Sequence, residues 1–97
     1  MRQVTKEQAI RIFESEKWKD WEPEYQAYFQ LNQERMCMPF GVFHAAVEHT
    51  LGRSVWTHEF GRAQYLREEL VGRIPKRNFN DTIDVLFEML DEKEKCD

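Results

Sequence analysis

The sequence predicts an all-α protein, a compact bundle of four to five short helices that forms one domain over residues 1–97. Three observations lead to this prediction. Apolar residues recur three or four positions apart along most of the chain, which is the spacing of one helix face. Helix start and stop signals separate these stretches, and strand-like alternation does not occur. The 3 Trp, 3 Tyr and 7 Phe residues supply enough apolar surface for a core without cross-links.

The first helix is predicted to begin after Thr5, which forms a capping box with Gln8, and Val4 can pack back on Ala9. Its predicted apolar face consists of Ala9, Ile10, Ile12 and Phe13. Trp18 lies off that face, so we expect it either to pack through a bend or to stand exposed.

The second helix is predicted to follow Asp20 as its N-cap, with Pro23 tolerated in its first turn. Its predicted buried side is an aromatic stripe that ends in a methionine: Tyr25, Tyr28, Phe29 and Met36. Because the residue before a proline avoids the helical conformation, we expect this helix to end before Pro39.

The third helix has the clearest boundaries, with Pro39 at its first position and Gly52 as the left-handed residue that ends it. Its apolar face is predicted to hold Phe40, Phe43, Val47 and Leu51. Residues 54–56 are predicted to form an extended link, with Trp56 packing back on the bundle. Thr57 is the predicted N-cap of the fourth helix, and Glu59 favours its first turn.

The fourth helix is predicted from Ala63, Leu66 and Leu70 and is expected to end at Gly72. A basic linker follows, and Asn78 or Asn80 then caps an acidic last helix of about residues 80–93. This helix is predicted to turn Ile83, Leu86, Phe87 and Leu90 towards the core. Residues 94–97 are expected to form a frayed tail.

The stretch from Gly52 to Ala63 resembles the signature of a small uncharacterised domain that bacteriophages and prophages carry. That signature combines a Gly, a hydrophobic pair, a Thr-His-(Glu/Gln)-hydrophobic run and an Arg-Ala pair. The residues of this central motif are Gly52, Arg53, Thr57, His58 and Arg62. The resemblance implies a phage-associated accessory protein and supplies no catalytic role.

The formal net charge of −4 is unevenly distributed, because a basic segment (residues 52–77) precedes an acidic end. The acidic side chains of the last helix, together with two tryptophans if exposed, form the predicted partner-binding surface: Asp81, Asp84, Glu88, Asp91, Glu92, Trp18 and Trp56. Such a surface would dock on a basic partner, in the manner of a nucleic-acid backbone. The main interpretation is therefore a non-enzymatic protein-interaction module that modulates a host macromolecule.

The first alternative is a nucleic-acid-associated regulator that uses Arg53, Arg62, Arg73, Lys76 and Arg77. A helix-turn-helix is disfavoured, since Glu48 stands four residues before Gly52, where that motif needs a small residue. The segment also contains glutamates, which phosphates would repel.

The second alternative is a metal-binding or small-ligand protein around His44, His49 and His58. His44 and His49 point about 140° apart on a helix, so the two cannot bind one ion together, and no zinc spacing occurs. Nucleophiles such as Cys37 lack a glycine-rich elbow, so no catalytic residue and no cofactor are expected. Cys37 and Cys96 are predicted to be reduced thiols.

The sequence contains neither an apolar run long enough to span a bilayer nor a signal segment at its start. We therefore expect a cytoplasmic protein that does not bind membranes, in a bacterial host if a phage encodes it. An apolar face left uncovered on a short helix would favour a homodimer.

Overall fold

A computed structural model describes residues 2–73 and 79–96, and their side chains except for those of residues 80, 81 and 91–96. All regular structure within these ranges is helical, which confirms the all-α prediction. The α-helices are α1 (Lys6–Ser15), α2 (Pro23–Leu31), α3 (Phe40–Leu51), α4 (Ala63–Arg73) and α5 (Asn80–Cys96). Two 3-10 helices, Lys17–Asp20 and Thr57–Arg62, lie between them. None of these helices combines the length and the apolar character needed to cross a bilayer.

The start of α1 follows the predicted capping box. The Gln8 N–H donates to Thr5 Oγ1 (3.1 Å), and the Thr5 N–H donates to Gln8 Oε1 (2.9 Å). The predicted apolar face is only partly correct, because Ala9 and Ile12 are buried whereas Ile10 is 46% and Phe13 is 39% exposed. The core therefore covers one edge of α1 and leaves the other edge open.

Trp18 is a core residue, so the first of its two expected outcomes, packing through a bend, is the one found, and its conditional role as a surface anchor is wrong. The chain leaves α1 through Glu16, a non-glycine residue with a left-handed backbone (φ 57°), and the following 3-10 helix returns Trp18 to the bundle. The indole is 5% exposed, and its Nε1–H donates to the Phe13 carbonyl oxygen over 3.1 Å. A single left-handed residue thus provides the bend that helical periodicity does not show.

The helix α2 forms the centre of the bundle and packs against both α3 and α4. Its N-cap is Glu22 rather than Asp20, and Pro23 is its first residue. Because α2 ends at Leu31, Met36 lies beyond the helix and is 42% exposed, so its place in the aromatic stripe is wrong. The aromatic stripe itself joins neighbouring elements through edge-to-face contacts among Trp21, Tyr25, Phe29 and Phe79.

Buried glutamine side chains hold the segments that lack helical hydrogen bonds. Gln33 Oε1 accepts from the Val4 N–H (2.9 Å), and Gln33 Nε2 donates to the Arg2 carbonyl oxygen (2.8 Å). Gln30 Oε1 accepts from the Cys37 N–H (2.8 Å). Among the described residues, every buried side-chain nitrogen and oxygen atom has a partner, as stable interiors require.

The last helix packs its apolar face on the bundle as predicted, with Ile83, Phe87 and Leu90 buried. Arg11 Nη1 donates to the Leu90 carbonyl oxygen (3.1 Å), which links α5 to α1. The helix α5 extends to Cys96, so residues 94–96 do not form the frayed tail expected for residues 94–97, and Asp97 lies outside the described residues. Asn80 is the first helical residue and not the N-cap, and Asn78 lies outside the described residues. Similarly, Gly72 does not end α4, which includes it.

Candidate partner-binding surface

We call residues 52–56, which join α3 to the second 3-10 helix, the corner. Within the central motif, this segment has the most hydrogen bonds from side chains. The helix α3 begins at Phe40, one residue later than predicted, and it ends as predicted at Gly52 with φ 68°. The Gly52 N–H donates to the Glu48 carbonyl oxygen over 2.9 Å, so the glycine closes the last turn.

Three side chains fix the backbone of the corner. Glu48 Oε2 accepts from the Val55 N–H (2.9 Å), and His44 Nε2 donates to the Val55 carbonyl oxygen (2.5 Å). Glu59 Oε2 accepts from the Trp56 N–H (2.8 Å). The Val55 side chain is also buried, so both hydrogen bonds to the backbone and packing in the core hold the corner in place.

Arg53 ties the corner to two further elements, in an arrangement that we call the Arg53 clamp. Its Nε and Nη2 atoms donate to the two carboxylate oxygens of Glu69 (both 2.9 Å), and Nη2 also reaches Glu59 Oε1 (3.0 Å). The hydrogen bonds to Glu69 and Glu59 raise the pKa of Arg53. The hydrogen bond from Arg53 lowers the pKa of each glutamate, and the Trp56 N–H lowers that of Glu59 further. Both carboxylates are therefore ionised at neutral pH, and the clamp is complete.

Trp56 stands on the outside of the corner and is 71% exposed, so the prediction that it packs back on the bundle is wrong. The cause is the extended backbone, in which successive side chains point to opposite sides. Because Val55 occupies the inward position, the Trp56 ring must point outward. Its ring lies nearly parallel to that of His58, with an interplanar angle of 18° and centroids 6.3 Å apart.

The exposed side chains of Trp56 and of residues that follow it on the second 3-10 helix and α4 form a surface that we call the corner surface: Trp56, His58, Arg62 and Tyr65. Tyr65 on α4, to which the sequence analysis assigned no role, is 65% exposed. His58, whose ring lies along that of Trp56, lines a depression together with Arg53, Glu59, Arg62, Tyr65, Leu66 and Glu69. The structure therefore brings Arg53, His58 and Arg62 of the central motif together.

The other two residues of the central motif have backbone positions. Gly52 ends α3, whereas Thr57 is the first residue of the second 3-10 helix. The predicted role of Thr57 as N-cap is wrong, because Trp56 occupies the capping position and Glu59 supplies the carboxylate that accepts its N–H.

A family model described as a domain of unknown function (DUF7736) matches residues 23–71, which is just over half of the 97 residues. The chain belongs to this family. The DUF7736 segment begins at the first residue of α2 and contains α3, the corner, the second 3-10 helix and most of α4. The whole corner surface thus lies within the part of the chain that defines the family. Neither a curated protein nor a solved structure matches this chain.

The three histidines occupy separate environments. His44 is half-buried, with its ring centroid 5.7 Å from that of Phe40 and 5.5 Å from that of Phe60. His49 is exposed on α3, and His58 lies beside Trp56. Over the described ranges 2–73 and 79–96, no three side chains of the types that bind metals come close enough to hold an ion.

The predicted acidic surface is only partly described. Asp84 and Glu88 are exposed on α5, on the side away from the buried Ile83 and Phe87, as the helical pattern predicted. The side chains of the other three acidic residues, Asp81, Asp91 and Glu92, lie outside the described part of the chain.

One residue of the predicted basic surface, Arg53, is not available to bind nucleic acid. Arg53 is already bound by two carboxylates, so it cannot contact a phosphate without breaking the Arg53 clamp. Arg62 and Arg73 are exposed, whereas Lys76 and Arg77 lie outside the described residues.

Cys37 is a free, buried cysteine, as predicted. Its side chain is fully buried, and burial raises the pKa of the thiol to about 12. The group is therefore protonated at neutral pH, and a protonated, inaccessible thiol is a poor nucleophile. The side chain of Cys96 lies outside the described residues.

Proposed function

We propose that this chain is a small non-enzymatic protein-interaction module that binds a macromolecular partner through the corner surface. The observation that carries the proposal is the exposure of Trp56 (71%) on a backbone that other side chains hold in place. A tryptophan that is left in water at a fixed position is the type of residue that dominates binding energy at protein interfaces.

The composition of the corner surface favours a protein over other partners. Trp56, Tyr65 and Arg62 belong to the three residue types most enriched at interface hot spots. The Arg53 clamp contributes one positive and two negative charges to the same region, which gives the mixed polar surroundings typical of interface rims. A surface of this kind is complementary to an apolar pocket with a polar edge on the partner.

The resemblance of the stretch Gly52–Ala63 to a bacteriophage and prophage domain supports a more specific proposal. We propose that the chain is a phage-type accessory protein, that it acts in the bacterial cytoplasm and that its partner is a host macromolecule which it modulates. The corner surface lies almost entirely inside this stretch, so the residues of the resemblance and the residues of the proposed contact are largely the same.

The test is quantitative affinity capture from a lysate of the cells that encode the chain, with wild-type protein, Trp56→Ala and Val71→Ala as baits. Val71 is a matched control, since it is an exposed apolar residue (57%) of α4 outside the corner surface. We expect at least one protein to bind wild-type and Val71→Ala baits and to be depleted about tenfold or more with Trp56→Ala. Equal recovery of all captured proteins by the three baits would contradict the proposal.

One observation favours nucleic acid as the alternative partner. Trp56 lies along the ring of His58, and His58 lines one depression with Tyr65 and Arg62. Stacking on exposed aromatic rings beside positive charge is how proteins bind single strands without sequence preference. A titration with random single-stranded DNA at low salt, followed by tryptophan fluorescence and by mobility shift, tests this alternative. Binding that Trp56→Ala abolishes would replace the protein partner with a nucleic acid, and the absence of any shift would exclude it.

A further inference from the structure

Two exposed apolar residues of α1 and one of the loop after α2 form an uncovered patch, which we call the α1 patch: Ile10, Phe13 and Met36. These three side chains are 46%, 39% and 42% exposed. They line a shallow depression together with Lys6, Ala9, Glu14 and Arg35. The α1 patch therefore has an apolar centre with charged residues on both sides.

Two of the three charged residues that line this depression, Lys6 and Glu14, are placed symmetrically about Ile10, and the third, Arg35, lies outside α1. Lys6 stands four residues before Ile10, and Glu14 stands four residues after it. At 1.5 Å per residue, each charge lies about 6 Å from Ile10 along the helix, and both lie within about 40° of its direction. Within the part of the chain that the structure describes, neither Lys6 nor Glu14 has an ion-pair partner.

We propose that a second copy of this chain covers the α1 patch, with the two α1 helices antiparallel and related by a two-fold axis at Ile10. In this arrangement Ile10 meets its own copy, and Lys6 of each chain lies opposite Glu14 of the other. In a two-fold interface, if residue i of one chain contacts residue j of the other, then residue j of the first chain also contacts residue i of the second. Lys6 and Glu14 are equally far from Ile10 along the helix, so an axis at Ile10 places each of them opposite the other. The opposite charges at equal distances satisfy this requirement twice.

The proposed dimer is a weak one. Three half-exposed apolar side chains and their charged neighbours form a contact at the low end of the size range of specific interfaces. Self-association is therefore expected to depend on concentration and to weaken with salt, since exposed ion pairs are screened. The α1 patch shares no residue with the corner surface and lies largely outside the DUF7736 segment, so this proposal and the proposed function can fail independently.

The test is a set of charge reversals measured by sedimentation equilibrium of the full chain up to millimolar concentration. Lys6→Glu and Glu14→Lys each place like charges opposite one another twice, so each is expected to weaken the dimer about tenfold. In an equimolar mixture of the two variants, one chain carries negative charges at both positions and the other carries positive charges at both. Opposite charges then face each other again, so the mixture should associate about as strongly as the wild type. The double variant K6E/E14K should do the same.

The controls separate pairing from folding. Both reversals suit the helix dipole, since Lys6→Glu places a negative charge in the first turn and Glu14→Lys a positive charge near the last turn. Circular dichroism should therefore show an intact α1 in each variant. Glu68→Lys makes the same charge change as Glu14→Lys, but at an exposed position of α4, so it should dimerise like the wild type. A wild type that stays monomeric, single variants that dimerise unchanged, or a mixture that stays monomeric would each overturn the proposal.

Discussion

The buried amide of Gln30 offers the most direct test of how the loop after α2 is held. Gln30 is 2% exposed, and its side chain makes two hydrogen bonds to the backbone of that loop. Oε1 accepts from the Cys37 N–H (2.8 Å), and Nε2 donates to the Arg35 carbonyl oxygen (2.9 Å). Leucine at position 30 would occupy a similar volume and remove both hydrogen bonds at once.

The expected loss of stability follows from these two contacts. The Cys37 N–H lies at a fully buried residue, so losing its acceptor costs about 1–3 kcal/mol of desolvation. The bond to the Arg35 carbonyl, which is only partly buried, adds about 0.5–1.5 kcal/mol. The two costs together come to about 1.5–4.5 kcal/mol, and the isobutyl group of leucine recovers part of this energy by apolar burial. Gln30→Leu is therefore expected to lower the free energy of unfolding by about 1–3 kcal/mol.

Urea unfolding at low micromolar concentration, where a weak dimer would dissociate, measures this change. With an m value of about 1.5 kcal/mol/M, the urea concentration at the midpoint should fall by about 0.7–2 M. Gln64→Leu is the matched control, because the same chemical change at an exposed position of α4 should alter stability by less than about 0.5 kcal/mol. A loss below about 1 kcal/mol for Gln30→Leu would refute the assignment of both hydrogen bonds to the stability of the fold.

Three further predictions concern the corner and the acidic helix. In Gly52→Ala the added methyl group contacts no neighbouring atom, but the alanine must adopt φ 68°. The free energy of unfolding, measured by thermal unfolding, should therefore fall by about 1–2 kcal/mol. The pKa values of Glu59 and Glu69 lie below the ordinary 4.5, so the stability they contribute is complete above that pH and is lost as the pH falls through their folded-state values. The melting temperature of the wild type should therefore fall more steeply below pH 4.5 than that of Glu69→Gln; parallel curves would contradict the Arg53 clamp. The acidic surface predicted from the sequence stays a second candidate contact beside the corner surface, and the double variant Asp84→Lys/Glu88→Lys on the exposed side of α5 tests it. This variant should keep its fold by circular dichroism and lose captured proteins that bind by charge; an unchanged set of captured proteins would exclude the acidic surface as a binding site.

Features that depend on neighbouring residues in the chain were predictable from the sequence. The Thr5–Gln8 capping box and the left-handed Gly52 are local hydrogen-bonding and steric patterns, and both occur as predicted. The inward face of α5, with Ile83 and Phe87, follows from helical periodicity alone. The overall all-α class follows because these local signals agree along the whole chain.

Features that depend on distant residues were not predictable in the same way. The Arg53 clamp joins residues that are 6 and 16 positions apart, and ordinary charged residues on a mixed face give no signal that they will meet. The sequence left two outcomes open for Trp18, because a left-handed glutamate gives no compositional sign of the bend that buries it. The buried Gln30 was missed since hydrophobic patterns assign polar residues to the surface, whereas a loop packed inside the bundle needs polar partners for its backbone.

The fixed backbone beneath Trp56 has an energetic consequence for any partner that binds there. Because the backbone that carries the ring is already fixed, binding costs less conformational entropy, so more of the contact energy contributes to affinity. Glu48 holds that backbone from α3 and is not part of the corner surface. Substitutions at position 48 would thus weaken binding through the entropy of the unbound chain while every contact atom stays in place. A residue outside the interface would in this way set the affinity of the complex.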